Sequence, residues 1–238
     1  MKLDILAIGA HPDDVEISSG GTIAKEISKG RKVGILDLTR GELGTRGSAE
    51  IRDVEAAAAA KILGVSIREN LALADGFFEY SQENLLKIIE VIRAYRPEIV
   101  LCNAIDDRHI DHGKGSKLVS DACFLSGLLK IQTRRKGELQ EQWRPKQVYH
   151  YIQWKNLEPD VVVDISGFIE QKCEAVFAYS SQFYDPNSGE GDTPISSSTF
   201  KESITYRARD LGRLIGKDYA EGYNVERYPA VDSLFDLI

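Results

Sequence analysis

Short apolar runs alternate with longer amphipathic stretches along most of the chain. Residues 3–9 (LDILAIG), 32–38 (KVGILDL) and 98–102 (EIVLC) are apolar enough for strands buried in a sheet. Residues 82–96 instead put Leu85, Ile89 and Ile92 on one stripe, the spacing of a helix, which Pro97 ends. The same reading gives helices over 20–29, stopped at Gly30, and over 50–63, stopped at Gly64. Further helices are expected over 113–129, 166–179 and 200–216, and strands over 70–73, 147–154 and 160–164. Asp75-Gly76 marks a turn, 134–144 a polar exposed stretch, 183–198 a loop or lid, and the C-terminal end an irregular tail.

Strand and helix alternate in turn, which predicts an α/β fold: a Rossmann-like, doubly wound, mostly parallel sheet with helices on both faces. Residues 1–238 read as one domain, with 180–238 supplying the lid or loop, the last helix and the tail.

Composition narrows the function classes. The net charge of -7 weighs against nucleic acid as a partner. The 3 cysteines, Cys102, Cys123 and Cys173, form no CxxC pair, so neither a thiolate zinc site nor a disulfide framework is expected, and the cytoplasm is the expected compartment. Residues 1–4 lack the pattern of a secretory leader, and no apolar window reaches the roughly 18 residues of a membrane span.

Chemistry concentrates after two strands. His11, Asp13 and Asp14 follow the first, and Asp106-Asp107-Arg108-His109-Ile110-Asp111-His112-Gly113 follows the strand at 98–102. These two loops hold three of the 4 histidines. Loops at the carboxyl ends of parallel strands gather at one sheet edge, where ligands bind in open α/β sheets. His11, Asp14 and His112 give two imidazoles and a carboxylate, the donor set of a catalytic zinc with one open position. Nitrogen and oxygen donors suit Zn²⁺, Fe²⁺ or Co²⁺ better than Mg²⁺. Asp13 is then free to serve as general base, His109 to face a developing oxyanion or protonate a leaving group, and Asp111 to fix an imidazole's tautomer. His150, in an aromatic strand, reads as structural. The apolar stripe of 200–216, Phe200 included, reads as core packing or a subunit contact. Gly20-Gly21 is not a GxGxxG fingerprint. Two other classes fit the same residues: a two-metal phosphoesterase, and a sugar- or nucleotide-binding module with a closed structural metal.

The AHPDD stretch and the later HxDH resemble those of the LmbE-like (PIG-L) zinc-dependent N-deacetylases. The resemblance extends through Thr39 to Gly47 and Arg52, Leu73 to Phe77, Ser181-Gln182-Phe183, Gly212 to Gly216 and Tyr219-Ala220-Glu221, nearly the whole chain. Within the family it is most similar to the bacillithiol-biosynthesis deacetylases of N-acetylglucosaminyl-malate. The resemblance implies zinc on His11, Asp14 and His112, Asp13 as base, and His109 as oxyanion stabiliser and acid. It also implies substrate contacts from Glu42 and Arg52, an Asp75 that touches the substrate or orients a neighbour, a small N-acetylated amino sugar as substrate, and a homo-oligomer, a hexamer. The family's HPDH reads HIDH here, with Ile110 for proline, which keeps the ligand spacing. A malyl group carries two carboxylates, and Arg40, Arg46 and Arg52 offer forks to read them. The same arginines could instead pair with Glu42 or Glu50.

Overall fold

The computed structural model describes residues 1–184 and 189–237. In chain order the elements are β1 (Ile5–Gly9), α1 (Asp14–Ser28), β2 (Val33–Thr39), α2 (Ala49–Leu63), β3 (Ile67–Leu73), α3 (Gln82–Tyr95), β4 (Ile99–Cys102), α4 (Ile110–Leu125), the short strands β5 (Arg134–Arg135) and β6 (Glu138–Leu139), β7 (Gln147–Tyr151), β8 (Val161–Asp164), α5 (Ile169–Phe177), α6 (Ser198–Leu214) and β9 (Ala220–Val225). The main sheet runs β3-β2-β1-β4-β7-β9-β8. Its pairs are parallel except where β9 lies antiparallel between β7 and β8. Every residue of β1 and β2 is buried, which is why these strands are apolar without alternation. Leu85, Ile88, Ile89 and Ile92 of α3 join Leu118, Val119 and Ala122 of α4 in the core on one face. The core on the other face takes Val15 and Ile23 of α1, Ala56, Ala59 and Leu63 of α2, and Ala175 and Val176 of α5. The expected doubly wound sheet, with helices on both faces, is therefore what the chain forms.

The strand order reverses direction at β1, with β2 on one side and β4 on the other. Such a switch point leaves a crevice outside the strand ends. Val100 of β4 pairs with Leu6 of β1, so the segments that leave these strands, 10–13 and 103–109, emerge side by side.

Some boundaries differ from the sequence expectation. Helix α1 begins at Asp14 rather than residue 20, so Ser18-Ser19-Gly20-Gly21 is helical. Packing overrides the poor helix propensity of glycine here: a Cβ on Gly21 would stand 2.5 Å from Ile165 Cδ1. Helix α4 starts at Ile110, with His109 as its cap, and stops at Leu125. Strand β3 begins at Ile67, and β7 ends at Tyr151. The polar stretch 134–144 contains the β5–β6 hairpin. The tail expected to be irregular supplies β9, whose pairing partners lie far back in the chain. Of the loop or lid at 183–198, residues 185–188 lie outside the described residues.

Candidate active site

The turn from β1 into α1 holds an unusual backbone. Asp13, at the N-cap position, has φ 110 and makes no side-chain cap bond. A non-glycine residue in that region is strained, and such strain persists where the surroundings over-determine it. The turn frees the Asp13 carboxyl and points it into a cavity of about 300 Å³. His11, Asp14, His109, His112, Arg52 and Asp75 share the cavity wall.

Asp14 is the hub. Its Oδ2 accepts from His11 N (2.9 Å) and Asn103 Nδ2 (2.9 Å), and its Oδ1 accepts from Gln153 Nε2 (2.9 Å). His112 Nε2 stands 3.1 Å from Oδ1, and His11 Nδ1 stands 3.5 Å from Oδ2. The other nitrogen of each ring is held by a carboxylate. His112 Nδ1 is 2.5 Å from Asp107 Oδ2, and His11 Nε2 is 3.1 Å from Asp75 Oδ1 and 3.4 Å from Asp111 Oδ2. In each ring one nitrogen faces Asp14 and the opposite nitrogen faces another carboxylate, so the surrounding carboxylates favour the protonated ring until a metal displaces the inner proton. The ring nitrogens of His11, His109 and His112 approach within 4.8 Å of one another, as do ligand atoms of His11, Asp75 and Asp111. Asp111 is fully buried, and its oxygens already accept from Gly76 N (2.7 Å) and Lys114 Nζ (3.0 Å), so it orients His11.

The electrostatics follow from this packing. Burial works against charge on Asp14, but the His112 and His11 imidazoles outweigh it and hold its carboxyl well below the usual range. Burial likewise opposes charge on His112, yet Asp14 and Asp107 push it up to about 9. Asp13 is pushed up to about 7, chiefly by burial, against the pull of Arg52, whose Nη1 lies 3.6 Å away. His109 is lowered by burial and by the two neighbouring imidazoles. Its Nδ1 accepts from Asp111 N (3.3 Å), so in the neutral ring Nε2 carries the hydrogen.

The remaining sequence candidates fall in different places. Arg52 Nη1 donates to Pro12 O (2.8 Å), its Nη2 donates to Gln182 Oε1, and the guanidinium packs on Gly41. A Cβ at Gly41, whose φ is +65, would lie 2.9 Å from Arg52 Nη1. Asp75 Oδ2 accepts from Leu43 N (2.9 Å). Glu42 does not line the cavity; its Oε1 accepts from Asp75 N (2.9 Å). Arg46 also lies outside the cavity lining, buried, with Nη1 donating to Phe183 O (3.0 Å). Arg40 pairs with Asp53 (2.6 Å) and Glu50 (3.4 Å). For Arg40 the Glu50 pairing is the structural alternative to substrate contact. His150 is buried on Ser116 Oγ, Asn103 O and Glu226.

Asn103, Asp107 and Gln153 position the site, and Trp154, Phe200 and Arg207 line it, although the sequence gives none of them a role there. Asp107 lies inside a stretch that its histidines mark. Phe200, a core residue by its helical spacing, also faces the cavity and stacks on Trp154 at 5.6 Å. Gln153 and Arg207 give no sequence signal.

Comparison with known proteins places the chain in a family. The family model described as PIG-L, GlcNAc-PI de-N-acetylase, matches residues 6–123, the segment that carries both histidine loops. The chain is similar to the diacetylchitobiose deacetylase of Thermococcus kodakarensis, 33% identical over 190 residues, covering 75% of this chain and 70% of that protein. It is similar in structure to the conserved protein TT1542 of Thermus thermophilus, with 36% identity, 97% of each chain covered and a TM-score of 0.85. It is also 26% identical over 192 residues to the 4-oxalmesaconate hydratase of Pseudomonas putida, covering 74% of this chain and 73% of that one. On the matched motifs, the shared fold and these relatives, the chain belongs to the PIG-L (LmbE-like) family.

Proposed function

We propose that the chain is a metal-dependent amide hydrolase that removes the acetyl group from an N-acetylated amino sugar conjugate, N-acetylglucosaminyl-malate in bacillithiol biosynthesis. One observation carries this reading: two imidazoles each turn one nitrogen to the same buried carboxylate while another carboxylate holds the opposite nitrogen. Metal-ligating histidines are held in this way. His11, Asp14 and His112 would hold the ion, and their nitrogen and oxygen donors fit Zn²⁺, with Fe²⁺ sharing the preference. When bound, the metal supplies a Lewis acid that polarises the acetyl carbonyl and acidifies water.

The chain's own groups supply the proton chemistry. Asp13, at about 7, is basic enough to take a proton from the attacking water and acidic enough to return it to the departing amine. Arg52 holds Asp13 in place. Neutral His109 presents Nε2–H to the tetrahedral oxyanion, because its Nδ1 is occupied by the cap bond from Asp111 N. Asp111 thus serves catalysis twice, through His11 and through His109. Among the substrate candidates, Arg52 and Asp75 reach the cavity themselves, while Glu42 and Arg46 position the loops around it. The cavity volume of about 300 Å³ suits a small conjugate.

A cytoplasmic setting is supported by three free cysteines. No helix among the described residues is long and apolar enough to cross a membrane. A homo-oligomer is expected, with the mass of a hexamer in light scattering.

Release of primary amine from N-acetylglucosaminyl-malate, beside N-acetylglucosamine and a chelated control, tests the function. Fast, chelator-sensitive release from the malyl compound is expected. Release from plain N-acetylglucosamine alone would keep the reaction and reject the substrate. No release from either by metal-loaded protein would reject the reaction.

A further inference from the structure

We propose that Arg207 of α6, assisted by Arg108 from the loop after β4, binds an anionic oxygen group, carboxylate or phosphate, on the part of the substrate joined to the amino sugar. This rests on the deacetylase reading above and names the chemistry of the group that the sugar carries.

Arg207 lines the active-site cavity and is partly buried. Among the described residues no hydrogen bond or ion pair engages its guanidinium, whereas Arg40, Arg46 and Arg52 are all occupied by partners inside the fold. Burial lowers its pKa, and the one charge acting in the other direction is Asp107. Both oxygens of Asp107 are already taken, by His112 Nδ1 and by Lys155 N (2.8 Å). A desolvated, unengaged guanidinium costs free energy that an arriving anion recovers through a two-pronged bond.

Arg108 completes the picture. Its guanidinium lies over the Trp154 ring at 4.7 Å and has no ion pair among the described residues. Trp154 stacks on Phe200 at 5.6 Å. Phe200 and Arg207 lie seven residues apart on α6, two turns along one face, and both reach the cavity. Arg108 is thus joined to Phe200 through one aromatic stack, and Arg207 stands two turns further along the same helix. Elsewhere on the wall the charges are matched within the fold, Asp13 facing Arg52, Asp14 facing His112 and Asp75 facing His11. The acetamide therefore belongs at the histidine and aspartate cluster, and the anion at the arginines.

The test uses metal-loaded wild type, Arg207→Gln, Arg207→Lys and Arg108→Gln. Their kcat and KM are measured on N-acetylglucosaminyl-malate, N-acetylglucosamine 1-phosphate and methyl N-acetylglucosaminide. The expected result is a wild-type preference for an anionic conjugate over the methyl glycoside, and the malyl and phosphate arms tell which anion is read. In Arg207→Gln that preference falls about 10- to 100-fold, the loss expected for a charge-assisted bond, through KM more than kcat. Arg207→Lys restores part of it, and the exposed Arg108 contributes less than Arg207. A preference unchanged within twofold in Arg207→Gln, with the variant folded by circular dichroism, overturns the proposal. So does a wild type that treats charged and methyl conjugates alike. If wild type releases amine from none of them, the deacetylase reading has failed, and calorimetric titration with malate and with inorganic phosphate decides the anion site. Binding lost in Arg207→Gln upholds it; no binding, or equal binding, overturns it.

Discussion

Asp107→Asn isolates the hold on one proposed metal ligand. The substitution keeps the shape of the side chain and removes its charge. In the wild type, Asp107 Oδ2 is 2.5 Å from His112 Nδ1, while Oδ1 accepts from Lys155 N at 2.8 Å. An amide can offer its single oxygen to only one of these donors, and its NH₂ then opposes the other. Exchanging a charge-assisted bond for a neutral one costs about 1–2 kcal/mol, or roughly five- to thirty-fold in metal affinity. Protons compete for the same ring. His112 stands at about 9 in the metal-free protein, against burial, because Asp14 and Asp107 favour its cation. At pH 7.5 the wild type must release that proton to bind metal, and the variant, whose His112 is less basic, releases it more easily. The affinity loss should therefore be largest at pH 9.5, where most of the wild-type His112 has already lost its proton, and smaller at pH 7.5. Competition with a chromogenic zinc chelator at both pH values measures this. Zinc affinity within twofold of wild type at pH 9.5, in a variant with an unchanged circular dichroism spectrum, would refute the claim that Asp107 holds a ligand.

Three other substitutions probe separate parts of the account. Asp13→Asn should retain zinc and lose about 10²- to 10⁴-fold in kcat. Because Asp13 must be deprotonated to act, wild-type kcat/KM should fall with decreasing pH along a limb at or below about 7, a bound cation moving it down; a flat profile there would remove Asp13 as base. Lys172→Met removes the cation 2.6 Å from Glu221, in a pair only 4% and 3% exposed, and leaves that buried carboxylate the bonds from Gly21 N (3.0 Å) and Thr22 N (2.7 Å). Stability in urea should drop by up to about 3–5 kcal/mol, and a drop under about 0.5 kcal/mol would show that the backbone bonds to Glu221 suffice. Gly212→Ala places a Cβ 2.6 Å from Lys217 O and 2.8 Å from Tyr219 N, backbone atoms that no rotamer change can move. It should cost about 1–3 kcal/mol and, because α6 also carries Phe200 and Arg207, raise KM as well.

The parts of this architecture that are legible in the sequence are those written locally. β1, β2 and β4 are buried on both faces, so their apolar runs have no competing reading. Helix α3 carries its own signals, with Ser81 accepting from Asn84 N at its start and Arg96 before Pro97 at its end. The two histidine loops stand out because parallel strands deliver their exit loops to one edge of the sheet. The features that escape a sequence reading depend on distant chain. β9 is a strand because β7 and β8 flank it, and no property of residues 220–225 alone announces that. Asn103 and Gln153 matter only because folding brings both to Asp14. Arg40 and Arg46, candidates by charge and loop position, have inward partners that no spacing rule reveals. Arg207 reaches the cavity from a helix whose apolar stripe accounts for Phe200 by itself.

In the proposed reaction one metal ion, held by His11, Asp14 and His112, enables amide hydrolysis. Titrating zinc into chelator-stripped protein, while following amine release from N-acetylglucosaminyl-malate, tests it most directly. Activity should rise linearly, reach its plateau at one equivalent per chain, and be absent in His112→Ala at every zinc concentration tried. A plateau at two equivalents, or turnover by stripped protein that added zinc does not raise, would contradict it.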